Sequence, residues 1–222
     1  MIAEYGAHPS AALLVGAKFY GILDAGYLRA EQFPAMCQAL LAGGADLIQV
    51  RAKKASKSEY EKLLESVLPL FEGNDTPLIV NDHLDIALRH PRCGLHVGQD
   101  DATVEDARSK LGPNRVLGLS THSVEQAKRA LEKAPLLSYF CIGPVYATRT
   151  KPDYVPVGIE LVRAVTALND GILPLFSIGG INRANVEHVR HAGAERVVVV
   201  SDVLEAENPA HVVRELREAM ER

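Results

Sequence analysis

The densest donor chemistry of the chain lies in Gly143-Pro144-Val145-Tyr146-Ala147-Thr148-Arg149-Thr150-Lys151. This stretch follows the apolar run Tyr139-Phe140-Cys141-Ile142, which Gly-Pro ends abruptly. Thr148, Arg149, Thr150 and Lys151 offer hydroxyls and two cations, with no carboxylate before Asp153. Such a set suits an anion and above all a phosphate. Taken alone, the segment also fits an ordinary solvated loop. The ends of other apolar runs carry related chemistry.

Gln49-Val50-Arg51-Ala52-Lys53 closes a second apolar run, and period-2 alternation sends Gln49, Arg51 and Lys53 to one side. Three polar groups gathered at one mouth call for an anion or water; an exposed basic strand end is the alternative. Asn81-Asp82 and Gly98-Gln99-Asp100-Asp101 end two further runs. Asp82 and Asp101 together could hold a hard divalent cation, and each also precedes a predicted helix, where a carboxylate N-cap is favoured. His96 lies inside its run, in a core or rim setting. Ser120-Thr121-His122 places a hydroxyl beside an imidazole, but no orienting acid or oxyanion motif accompanies it, so a nucleophilic triad is not supported. Ser120 instead offers a donor to phosphate or a helix cap. Gly179-Gly180-Ile181-Asn182 and Val200-Ser201 end the last two runs. Paired glycines between a strand and a helix let backbone amides approach a phosphate closely. The sequence thus holds two anion-binding zones, the more cationic one beside a carboxylate pair. This combination suits a diphosphate–metal substrate next to a monophosphate substrate.

These groups need elements to position them. Apolar β-rich runs at 18–23, 47–50, 78–80, 94–97, 116–119, 139–142, 173–178 and 196–200 alternate with amphipathic stretches at 31–42, 56–71, 84–89, 103–111, 123–133, 159–168, 183–192 and 209–220. Ser56 with Glu59 three residues on forms a capping box for the second helix. Eight strand–helix pairs, with strands apolar on both faces, predict a parallel sheet closed into a (β/α)8 barrel. Ligand groups gather at the C-terminal ends of the strands in that fold, which is where every candidate above falls.

The 222 residues are 47% hydrophobic and 23% charged, an ordinary globular composition. They divide into an N-terminal extension, 1–16, loose or helical, and one catalytic domain, 17–222. The net charge of −4 argues against general nucleic-acid binding. No apolar run approaches the ~18 residues of a membrane span, and the N-terminus lacks the pattern of a signal peptide. Cys37, Cys93 and Cys141 show no paired spacing and sit in apolar settings, so buried thiols in a reducing cytoplasm are expected.

Taken together, Gln49-x-Arg51-x-Lys53, Asn81-Asp82, Gly98-Gln99-x-Asp101, Ser120 within Gly118-Leu119-Ser120-Thr121-His122-Ser123, Gly143-Pro144 through Thr148-x-Thr150-Lys151, Gly179-Gly180-Ile181 and Val200-Ser201 resemble the thiamine phosphate synthase family. The resemblance runs from about Tyr20 to the C-terminal helix. It implies a TIM-barrel transferase that joins 4-amino-2-methyl-5-hydroxymethylpyrimidine diphosphate to a plain or carboxylated thiazole phosphate and releases pyrophosphate. It also implies that Gln49, Arg51, Lys53, Asn81, Ser120 and Lys151 hold the pyrimidine diphosphate, and that Asp82 and Asp101 bind Mg²⁺. Thr148, Arg149, Thr150, Gly179, Gly180, Val200 and Ser201 would hold the thiazole phosphate. Arg51, Lys53, Ser120 and Lys151 would form the catalytic set that stabilises the leaving group. Small-molecule substrates are the partners expected, and a homo-oligomer is compatible with the reading. The chain departs from the family pattern at Ala134-Pro135-Leu136-Leu137-Ser138, at Ala147 and at His83, none of which removes a ligand. Two other readings are a thiazole tautomerase of similar fold and a non-catalytic phosphate-ligand sensor. The first would not require Lys53, Asn81-Asp82, Asp101 and Lys151 together.

Overall fold

Strands that are apolar on both faces leave no side for solvent, and they bury both by closing on themselves beneath a layer of helices. The computed structural model describes residues 7–149 and 155–222. Among these, β1 (Phe19–Asp24), β2 (Leu47–Arg51), β3 (Leu78–Asn81), β4 (Cys93–Val97), β5 (Leu117–Thr121), β6 (Tyr139–Ile142), β7 (Leu175–Ile178) and β8 (Val197–Val199) form a closed parallel barrel in chain order. Register follows the burial pattern: Ile22 pairs with Gln49 and Asp24 with Arg51, while Tyr20 meets Val198 where the barrel closes. The sequence places the fifth strand at 116–119, whereas β5 extends through Thr121, so Ser120 belongs to the barrel wall.

The helices are α1 (Phe33–Gly43), α2 (Lys57–Val67), α3 (Leu84–Arg89), α4 (Val104–Leu111), α5 (Val124–Glu132), α6 (Gly158–Asn169), α7 (Val186–His191), α8 (Ser201–Leu204) and α9 (Pro209–Glu221). The capping box of α2 forms as the spacing predicts, with Glu59 N donating to Ser56 Oγ at 3.3 Å and Ser56 N to Glu59 Oε2 at 2.8 Å. Thr103 caps α4 and Ser123 caps α5. Neither Asp82 nor Asp101 caps a helix. His83 precedes α3, and Asp82 takes a left-handed φ of 65°. Thr103 caps α4 and no side chain caps α3, so both carboxylates are left for the barrel mouth.

The barrel interior is filled by aromatic rings. Tyr20, Tyr139 and Phe176 meet edge to face at centroid distances of 5.4–5.7 Å. Gly118 makes room for Tyr139, because a Cβ on Gly118 would lie 2.1 Å from Tyr139 Cζ. At the N-terminal ends of the strands, a 3-10 helix (Pro9–Leu14) buries Ala11 and Leu14. Arg196 Nη2 donates to Val15 O at 2.6 Å, and Ser10 Oγ lies 2.5 Å from Ser138 Oγ. All three cysteines are buried thiols and none is in a disulfide; burial pushes Cys37 to about 12 and Cys93 to about 11. Among the described residues, no helix is long and apolar enough to cross a membrane.

Candidate active site

Two cavities open at the C-terminal ends of the strands. The inner one, about 780 Å³, is lined by Tyr20, Ile22, Gln49, Thr148, Gly179 and Gly180, with Ile178, Ile181, Val198 and Val200 supplying apolar wall. The outer one, about 2040 Å³, is bordered by Asp24, Lys53, Asp82, Asp101, Arg149 and Glu205. Arg51, Asn81, Ser120 and His122 line both, so the cavities share a wall.

Arg51 is set by its neighbour across the ladder: its Nη1 lies 2.5 Å from Asp24 Oδ2, and both side chains are largely buried. Asp24 also accepts from Gly26 N at 2.8 Å, which holds the carboxylate in place. Asn81 is positioned through Tyr60, whose Oη donates to Val50 O at 2.5 Å and accepts from Asn81 N at 2.8 Å. That hydroxyl joins β2 to β3 where their strands end.

The carboxylate pair lies beside these groups. Asp82 N donates to His96 O at 2.8 Å, and the Asp82 carboxyl pairs with Lys53 Nζ. Burial holds Asp82 above the usual carboxylate range; Lys53 pulls it back, while a hydrogen bond and the charge of Asp101 add to the rise. Burial also pushes Asp101 upward, but the Gly98 amide, donating to Oδ2 at 2.7 Å, and the hydrogen bond from Asp82 outweigh it, so Asp101 lies below its usual range. Two carboxyls in contact beside a lysine form a compact oxygen donor set.

Across the mouth, the β6 and β7 loops are joined by Val145 N to Ile178 O at 2.8 Å and Tyr146 N to Gly179 O at 2.9 Å. Gly179 and Gly180 have φ of 104° and 63°, and a Cβ on either would fall within 2.6 Å of the β6 loop. Only glycine satisfies both demands. His122 donates from Nδ1 to Gly143 O at 2.5 Å, so its proton sits on that nitrogen.

Arg51, Lys53, Asn81, Asp82, Asp101 and Ser120 therefore meet around the outer cavity and its shared wall, and Gln49, Thr148, Gly179, Gly180, Val200 and Ser201 around the inner one. Arg149 parts from Thr148: it lines the outer cavity, pairs with Glu205 at 2.6 Å and lies 5.5 Å from the centre of the Tyr27 ring. Thr150 and Lys151 lie outside the described residues. The sequence reading missed Asp24, Tyr20 and Tyr139. Asp24 ends its strand as the other candidates do, which was the available signal; the tyrosines look like core aromatics.

The family model for thiamine monophosphate synthase matches residues 19–203, from the first residue of β1 through α8. The chain belongs to the thiamine monophosphate synthase family. It is 41% identical over 204 residues to a thiamine-phosphate synthase of Acidothermus cellulolyticus, covering 92% of this chain and 95% of that protein. To the thiamine-phosphate synthase of Chloroflexus aurantiacus it is 38% identical over 209 residues, covering 94% of each. Among solved structures, a thiamine phosphate pyrophosphorylase from Pyrococcus furiosus superposes with a TM-score of 0.79 at 30% identity, over 92% of this chain and 95% of that one. The part of this barrel matched by the thiamine monophosphate synthase family model therefore includes every described site residue.

A second group of ligand atoms lies elsewhere on this family member. Glu61, Glu65 and His90 carry atoms within 4.8 Å of one another and could hold a divalent ion. None of them lines either cavity, and Arg89 already engages Glu61 at 2.8 Å.

Proposed function

We propose that the chain is a thiamine phosphate synthase in which the two cavities seat the two substrates on either side of their shared wall. The continuity of the cavities at Arg51, Asn81, Ser120 and His122 carries this reading. A pyrimidine diphosphate with its diphosphate in the outer cavity and its ring reaching across the shared wall to Gln49 would place its exocyclic methylene near that wall, and a thiazole phosphate in the inner cavity would bring its ring nitrogen to the same place. The substitution then breaks the methylene C–O bond, with the electron pair leaving on pyrophosphate, and forms a C–N bond to the thiazole. Alignment of the two partners supplies much of the acceleration.

Arg51, anchored by Asp24, and Lys53 face the leaving diphosphate as fixed cations, and Ser120 adds a hydroxyl donor. Gln49 and Asn81 hold the pyrimidine. On the other side, Thr148, Gly179, Gly180, Val200 and Ser201 hold the thiazole phosphate. The apolar wall of Ile22, Ile178, Ile181 and Val198 keeps water from competing for the electron-poor methylene. Thr150 and Lys151 remain part of the proposal on sequence grounds alone, and Arg149 is better placed to tie the outer rim than to hold the thiazole phosphate.

Asp82 and Asp101 suit a hard divalent ion, because their carboxyls lie side by side at the mouth and draw Lys53 as a counter-charge. Mg²⁺ held there would supply charge neutralisation on the leaving pyrophosphate. The test is turnover by purified protein given both substrates, with and without Mg²⁺. Thiamine phosphate and pyrophosphate formed in equal amounts, only with Mg²⁺, is the expected result. No product from folded protein that still binds thiazole phosphate would sink the reading.

A further inference from the structure

A hydrogen-bonded chain crosses the floor of the inner cavity. Gln49 Nε2 lies 2.7 Å from Tyr20 Oη, and Tyr20 Oη lies 2.9 Å from Tyr139 Oη. Tyr139 Oη is 2.9 Å from His96 Nδ1, and His96 Nε2 is 2.9 Å from Ser120 Oγ. The five residues come from β2, β1, β6, β4 and β5, and the first four are no more than 6% exposed.

The direction of this chain is set at its Gln49 end. An amide nitrogen can only donate, so the Tyr20 oxygen accepts from Gln49, while the Tyr20–Tyr139 and Tyr139–His96 bonds can each run either way. In the arrangement that continues the direction set at Gln49, Tyr20 donates to Tyr139 and Tyr139 to His96 Nδ1. A ring nitrogen that accepts is unprotonated, which places the imidazole proton on Nε2, facing Ser120. Ser120 Oγ accepts that proton, and its own hydroxyl proton is left to point elsewhere. Complete burial holds both phenols well above the usual tyrosine range, so neither is lost as a donor.

We propose that this chain fixes His96 in its Nε2–H form and thereby aims the Ser120 hydroxyl at the leaving diphosphate. Tyr139 and His96 are then positioning residues, acting through Ser120 without touching substrate. The proposal rests on the synthase reading for its kinetic consequence, but not for the state of the ring. It also gives Gln49 a second role. With Nε2 given to Tyr20, its Oε1 is the atom that meets the amino group of the pyrimidine, so recognition at one end and donor direction at the other share one amide orientation.

The ring state is measured first, by ¹⁵N NMR of histidine-labelled protein without substrates, with His96→Gln identifying the His96 signals. A protonated Nε2 with an unprotonated Nδ1 is expected; the reverse pattern would overturn the proposal. Tyr139→Phe keeps the ring that fills the barrel and removes only the donor. It should lose this preference and lower kcat about 10-fold, less than the loss from deleting a direct donor, with both KM values little changed. In the double variant with Ser120→Ala, kcat should fall no further than in Ser120→Ala alone. Independent, multiplying losses, or full kcat in Tyr139→Phe, would also overturn it. If Tyr139→Phe does not fold, His96→Gln, which can still donate near the Nε2 position, should retain more kcat than His96→Leu; equal activity would count against the proposal. A wild type that makes no thiamine phosphate fails the functional reading and the kinetic half, whereas the spectra decide the ring state independently.

Discussion

Asp24 shows how one buried carboxylate can organise a cationic site. It holds Arg51 at 2.5 Å and is itself held by the Gly26 amide. Removing it takes a buried counter-charge from a largely buried guanidinium, which costs far more than losing a surface pair. Asp24→Ala is therefore expected to destabilise the protein by about 3 kcal/mol, measured by urea denaturation, and to raise KM for the pyrimidine diphosphate. The Asp82–Asp101 pair makes a prediction about pH. Asp82 lies above its ordinary value, so the folded protein holds its proton more tightly than the unfolded chain does. Stability from this group is full below the ordinary carboxylate value and declines as pH rises through the raised one. Asp101, lying below its ordinary value, contributes stability above that value and loses it as pH falls through the lowered one. Mg²⁺ held there as proposed would require both groups deprotonated, so its stabilising effect on Tm should grow as pH rises through the Asp82 transition. Asp82→Asn should remove that growth; a Tm shift by Mg²⁺ that ignores pH, or survives Asp82→Asn, would count against the assignment.

Among the elements, the join between the β6 and β7 loops is the most constrained. Gly180 combines a φ of 63° with an approach that would put a Cβ 2.6 Å from Ala147 O. Gly180→Ala is expected to lose roughly 1–3 kcal/mol through strain and to raise KM for thiazole phosphate more than for the pyrimidine diphosphate. Separate KM measurements check it. Such constraints bear on how much the sequence disclosed. The Ser56–Glu59 capping box was legible because its two members lie three residues apart, and the strand-end polar residues because alternation is local. Ser120 was harder to place: whether it caps a helix or lines the barrel depends on where β5 ends, which pairing with β6 decides. Arg149 could not be placed at all, since its partner Glu205 is 56 residues away. Tyr20 and Tyr139 carry no local mark of polar service, because only closure of the barrel brings their hydroxyls together.

At the scale of the whole molecule, chemistry and stability occupy opposite ends of the barrel. The N-terminal 3-10 helix buries Leu14 fully where the strands begin, far along the chain from any proposed ligand group. Leu14→Ala should lower stability by about 3 kcal/mol while leaving kcat and both KM values unchanged; a change in either kinetic constant would show that this end reaches the site. The shared wall between the cavities has a different consequence. In the proposed seating, once the new bond forms the two ligands would be one molecule lying across both cavities, and its halves would no longer leave independently. Expulsion of pyrophosphate then does more than complete the reaction: it strips the outer half of the charged group that Arg51 and Lys53 would grip, loosening the product at the end nearest solvent. A stable conjugate that kept a diphosphate mimic on the pyrimidine side would have no such exit. It should bind more tightly than thiamine phosphate and act as an inhibitor competitive with both substrates.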